Sequence, residues 1–219
     1  MARDLRESKM TLWSIQSVEA YETFKKTGVL HGDREHCIEE LVTYYDWMKK
    51  QMINRKVSLN GASTDEYPVW AWYKFCGKKL DLRKSGYATR GTPLVLLTLR
   101  VDPSRVLLSD FDLWHCVLGD WYICKSDEDD KKYDDFTYFD LHHRKTWRRV
   151  FRVFDRKLLN YNDINPECQS IQAVLWNITQ DDIVGTRFFV AKWKTSCGKR
   201  SANHGFFINY LKTLNLKIL

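Results

Sequence analysis

Two tryptophans one residue apart, Trp70 and Trp72, stand in the run Tyr67-Pro68-Val69-Trp70-Ala71-Trp72-Tyr73-Lys74-Phe75. In an extended strand the side chains alternate between faces, so the two indoles project together while Val69, Ala71 and Tyr73 point the other way. Paired indoles on one face are either a slab of core or a stacking platform for a planar ligand. A second constellation is Asp110-Phe111-Asp112-Leu113-Trp114-His115. A carboxylate near an imidazole orients it for acid–base work. The same aspartates serve equally as helix caps beside a half-buried His115. A third is basic: Arg144, Lys145, Arg148, Arg149, Arg152, Arg156 and Lys157 follow an acidic run between Asp127 and Asp135. Such asymmetry suits a nucleic acid or an acidic protein as partner, and is also what a solvated helix face looks like.

Several chemistries are excluded by the absence of their motifs. There is no GxxxxGK[ST] and no GxGxxG to cradle phosphates, no GxSxG nucleophile elbow and no HExxH. His142 and His143 are adjacent, so on a helix their rings diverge. Six scattered cysteines form no CxxC and read as reduced thiols, and no metal centre is expected.

These residues need elements to hold them. Trp13 and Ile15 share one face of a first strand (Leu12–Gln16), Ser14 and Gln16 the other. Ser17 caps a helix with Val18, Tyr21 and Phe24 at helical spacing, ended by Gly28. Ser14 and Gln16 thus stand beside a helix N-terminus, where phosphate or ribose groups are readily held. A second helix is predicted over 37–52. A loop over 54–66 delivers the aromatic strand, and 81–86 is a polar segment lying over a site or in solvent. Leu94–Val101 reads as a strand buried on both faces, and Val106–Asp110 as an edge or short strand. A helix follows through Leu113–Leu118, capped by Asp110 or Asp112. Residues 125–135 read as a charged loop, and about 136–154 as a helix burying Phe139, Trp147, Val150, Phe151 and Phe154. Asn160–Pro166 reads as a loop, followed by strands at 170–178 and 187–193 with a turn over 179–183. Trp114, Trp121 and Trp147 are expected in the core.

Mixing without strict βαβ alternation gives an α+β domain with a mixed, mostly antiparallel sheet flanked by helices. The expected organisation is a flexible tail (1–10), one domain (11–195) and a C-terminal extension (196–219). At 44% apolar and 29% charged residues the chain is globular rather than disordered. No window approaches the ~18–20 apolar residues that span a bilayer, and the charged N-terminus lacks a signal peptide's apolar region. No membrane association and a cytoplasmic location are therefore expected. A net charge of +7 is compatible with a polyanionic partner.

Four stretches together, Leu12–Gln16, Tyr67–Trp72, Leu107–His115 and Ser170–Trp176, resemble a bacterial family known as a domain of unknown function, number 3841, over about residues 11–193. A more distant resemblance is to ADP-ribosyltransferase-fold proteins. It rests on the polar first strand running into a helix that ends near Gly28, and on Gln172-Ala173-Val174-Leu175-Trp176 followed by Ile183. That resemblance implies NAD as co-substrate, with Ser14 or Gln16 on the adenosine ribose, Trp70 and Trp72 on nicotinamide and Arg83 on the pyrophosphate. Gln172 then stands where those enzymes carry a glutamate. A neutral amide holds a ribose hydroxyl but cannot act as a carboxylate, so catalysis needs another carboxylate, Asp110 or Asp112, or is lost. The implied function is transfer of ADP-ribose to a nucleic-acid or protein acceptor, as in a toxin or phage-conflict effector. The alternative is a non-enzymatic nucleic-acid-binding module. In it bases stack on Trp70 and Trp72, and Arg144, Arg148, Arg149 and Arg152 touch phosphates.

Overall fold

A computed structural model describes residues 9–78, 80, 88–133 and 142–192. Six strands form one sheet in the order β5-β6-β3-β1-β4-β8, every neighbouring pair antiparallel. They are β1 (Met10–Ser17), β3 (Val69–Lys74), β4 (Pro93–Val101), β5 (Leu107–Asp110), β6 (Ile171–Leu175) and β8 (Ile183–Val190). A small second sheet pairs β2 (Val29–Leu30) with β7 (Ile178–Thr179). With its flanking helices this is the expected α+β fold.

Both faces of the sheet are covered, which is why β4 is apolar at nearly every position. On one face helix α1 (Val18–Thr27) packs Phe24 against Leu12, Val69, Ala71, Val95, Leu97 and Ala173. The Ser17 hydroxyl accepts from Ala20 N–H, and Gly28, at φ 78°, closes the helix in the left-handed region. On the other face lie α2 (Val42–Asn54), α3 (Phe111–Leu118) and a 3-10 helix, Trp147–Phe151. They bury Met48, Met52, Trp114, Val117, Trp147 and Val150 against Leu107 and Val174, with Trp70 at the margin. Fully burying each such side chain is worth roughly 1.5–3 kcal/mol.

A buried ion pair ties the β4–β5 connection to the turn between β7 and β8. Arg105, in the 3-10 turn after β4, donates to both carboxylate oxygens of Asp182 at 2.6 and 2.9 Å, and to the Asn177 side chain at 3.1 Å. Asp182 in turn accepts from Thr179 N–H and Oγ at 2.8 and 3.0 Å.

The sequence-based boundaries need several corrections. The second helix starts at Val42, since Glu39–Leu41 is a 3-10 turn. The charged segment expected as a loop is helix α4 (Asp127–Tyr133), with four acidic residues in its first turn and lysines in its last. That charge order suits the helix dipole. The helix expected to reach residue 154 ends as the 3-10 segment at Phe151, and Phe154 is 67% exposed rather than buried. Asp155 then caps a helix, α5 (Arg156–Tyr161), where no element was expected. The strand expected over 170–178 breaks at Trp176, where the chain leaves the main sheet to pair as β7. The final strand begins four residues early, at Ile183. Trp114 and Trp147 are buried as expected, but Trp121 is 43% exposed. Phe139 and the C-terminal extension lie outside the described residues, and Met10, expected in the tail, opens β1. Among the described residues no helix is long and apolar enough to cross a membrane.

Candidate functional site

Antiparallel register builds a single row of side chains across the sheet. Thr98 pairs with Trp13, Trp13 with Trp72, Trp72 with Gln172 and Gln172 with Ser109. Directly opposed residues share a face, so all five project to the side that carries Trp70. Ser109 is fully buried, Trp13 is buried, and Trp72 and Gln172 are half-buried.

Two members of this row are chemically unfinished. Gln172 Oε1 and Ser109 Oγ are buried with no hydrogen-bond partner, two of only three such side-chain atoms among the described residues. Leaving a buried polar atom unpaired costs about 1–3 kcal/mol, and native proteins keep such groups for a reason. Beside them, Trp72 meets Phe111 at 5.0 Å and Phe75 at 4.9 Å, both T-shaped, and Phe111 meets His115 edge-on at 4.2 Å. Among the described residues no ring lies parallel to Trp72.

The two tryptophans therefore part company. Trp70 tilts against Trp114 at 5.2 Å and meets Tyr45 at 6.3 Å, as part of the core. Trp72 borders the Gln172–Ser109 pair instead.

Ser14 and Gln16 stand elsewhere. They oppose Leu97 and Val95, which belong to the α1 side, so the sheet separates them from Trp70, Trp72 and Gln172. Ser14 Oγ donates to the Trp70 carbonyl at 2.9 Å and accepts from Gln16 Nε2 at 2.7 Å. Strands β1 and β3 share one register pair, and this hydroxyl adds a side-chain tie between them. Arg83 lies outside the described residues.

Asp110 is occupied as a helix cap. One carboxylate oxygen accepts from Leu113 N–H at 2.8 Å, and the other from Gln169 Nε2 at 2.7 Å. Gln169 also donates to the Val153 carbonyl. Burial pushes the carboxyl up to about 6, against those hydrogen bonds and with Asp112 adding repulsion. His115 is half-buried on the same helix.

The four candidate arginines are not equivalent. Arg149 turns inward to a buried ion pair with Asp129 and donates to the Ile123 carbonyl. Burial alone raises the Asp129 carboxyl, but Arg149 and the Tyr122 hydroxyl hold it below the usual carboxylate range. Arg152 pairs with Asp155 at 2.5 Å. Arg144 pairs with Asp120 at 3.3 Å and lies over the Trp147 ring. Arg148 is exposed. Among the described residues no three His, Cys, Asp or Glu side chains gather as metal ligands.

Sequence reasoning missed Trp13 and Ser109. Alternation placed Trp13 opposite Ser14 on its strand. Only the Trp13–Trp72 register shows that Trp13, not Ser14, shares the face of the aromatic pair. A lone serine in Leu107-Leu108-Ser109-Asp110 was the available signal for the second.

The chain matches no curated protein and no solved structure. A family model described as a domain of unknown function (DUF3841) matches residues 11–184, from β1 into β8. The row of Trp13, Trp72, Gln172 and Ser109 lies wholly within that span, and the chain belongs to the DUF3841 family.

Proposed function

We propose that this protein binds NAD in the manner of an ADP-ribosyltransferase-like fold, with nicotinamide against the half-buried Trp72 and, once binding opens the two atoms now closed to solvent beside it, with Gln172 and Ser109 as its polar contacts. The observation that carries this reading is the partnerless pair Gln172 Oε1 and Ser109 Oγ, register neighbours beside a half-buried indole. A carboxamide or a ribose hydroxyl can donate to an amide carbonyl and also exchange a hydrogen bond with a serine hydroxyl. The aromatic beside them supplies the apolar contact that a pyridine ring favours. Ser14 and Gln16 have no part in this version, because they lie across the sheet from Trp72.

NAD, when bound, supplies ADP-ribose with nicotinamide as the leaving group. The chain contributes orientation rather than charge: Gln172 is neutral, and Asp110 is held by Leu113 and Gln169. Binding and transfer to a nucleic-acid or protein acceptor are thus separable. Titration calorimetry with NAD on wild type, Gln172→Ala and Ser109→Ala tests the binding. Each variant is expected to weaken affinity about tenfold, the worth of one hydrogen bond at about 1.4 kcal/mol. Wild-type affinity in both variants counts against the site.

A further inference from the structure

A second site, independent of the NAD reading, lies where the C-terminal end of α2 meets the 3-10 helix Trp147–Phe151. Arg55, the residue that ends α2, holds its guanidinium 4.2 Å from the centre of the Phe151 ring. Phe151 lies nearly parallel to Trp47, at 5.7 Å and 11°. Arg148 precedes Phe151 by three residues, and in a 3-10 helix such residues align on one side. The Arg55 guanidinium thus lies on an aromatic stack, and the 3-10 helix that supplies Phe151 carries Arg148 on the same side. Burial and the field of Arg148 lower the Arg55 pKa, as expected where like charges are brought together. Both arginines are exposed, and among the described residues no carboxylate pairs with either.

The surroundings favour a chain-like anion over a single small one. Along 147–157 the outward residues are Arg148, Arg152, Phe154, Arg156 and Lys157, while Trp147, Val150 and Val153 point in. Phe154, 67% exposed, follows Phe151 by three residues, a reach of at most about 10 Å. Close to Arg55 in sequence, Ile53 and Lys56 line a hollow of about 240 Å³ together with Val57, Leu59, Thr64 and Trp176. Cations interleaved with accessible apolar rings match the alternation of phosphates and bases in an unpaired strand, whereas a duplex keeps its base faces stacked.

We propose that Arg55 and Arg148 grip the phosphate backbone of single-stranded nucleic acid, with Phe154 as a stacking platform for a base. Arg149, locked to Asp129, takes no part. The test is fluorescence anisotropy with a labelled oligo-dT strand, across a salt series, on the full chain. Wild type is expected to bind with affinity falling steeply in salt. Arg55→Glu and Arg148→Glu should each weaken binding tenfold or more, and each should flatten the log–log salt slope by about 0.7. Phe154→Ala should weaken binding without altering that slope, and circular dichroism and melting of every variant establish that it is folded. Equal binding by folded Arg148→Glu and Arg55→Glu overturns the proposal. So does binding of poly-glutamate with no binding of oligo-dT, which assigns the patch to an acidic protein. NAD titration of Arg148→Glu should match wild type, so the failure of one site is distinguishable from failure of the other.

Discussion

Gln172 lies directly opposite Trp72 on the neighbouring strand and directly opposite Ser109 on the other side. One amide is thus flanked by an indole and by a fully buried hydroxyl without a partner. Hydrophobic packing alone does not select that arrangement, since an apolar residue at 109 or 172 would fill the same sheet positions without an unpaired dipole.

Replacing Ser109 by alanine separates stability from binding. The change removes an unsatisfied hydroxyl at nearly constant volume, so the variant should gain about 1 kcal/mol and melt about 2–4 °C higher, while losing NAD affinity. Differential scanning calorimetry reads the first effect. A lowered melting temperature means that the hydroxyl has a partner in solution.

Ser14→Ala should behave in the opposite way. It strips the Trp70 carbonyl of its donor and Gln16 of its acceptor in a fully buried position. A loss of about 1–3 kcal/mol is expected in urea denaturation, with NAD affinity unchanged. Selective loss of NAD binding at full stability would put Ser14 back in the ligand site.

How far the sequence carries depends on the range of the interaction that decides each feature. Helix α1 was legible at both ends, because Ser17 and Gly28 act within a few residues of themselves. Strand β4 was legible from its apolar run. The segment 127–133 misled, because its charge density reads as loop while its acidic-to-basic order is a helix signal. Phe154 misled for a different reason: a helical stripe continued past Phe151 would bury it, but the 3-10 turn has another period and α5 starts afresh at Arg156 behind its Asp155 cap. Two members of the candidate row, Trp72 and Gln172, were legible by residue type, but the grouping was not. Which face of β1 meets those residues is set by register across strands far apart in sequence, and alternation within one strand leaves it open.

The Arg105–Asp182 pair predicts a large loss on truncation. Arg105→Ala leaves a buried carboxylate without its bidentate partner. The expected loss is about 3–5 kcal/mol, read by urea titration. A loss under about 1 kcal/mol would mean that the pair is solvated.

Asp110 supplies a pH signature. Its folded pKa, pushed up by burial to about 6, exceeds the ordinary aspartate value. Stability from this group is therefore fully present below about pH 4 and is lost as pH rises through about 6. Asp110→Asn keeps an N-cap oxygen for Leu113 and removes the titration. The stability of the variant relative to wild type should thus rise by about 3 kcal/mol between pH 4 and pH 7. Urea titrations at the two pH values check this, and a pH-independent difference would show that the carboxyl is not shifted.

Saturable quenching of tryptophan fluorescence by NAD, with a parallel rise in melting temperature, is the result expected of wild type. Trp72→Ala should lose both signals while Trp70→Phe, a core change, retains them at reduced stability. No quenching and no thermal shift at millimolar NAD, or an unchanged response in Trp72→Ala, would contradict a nucleotide site at Trp72, Gln172 and Ser109.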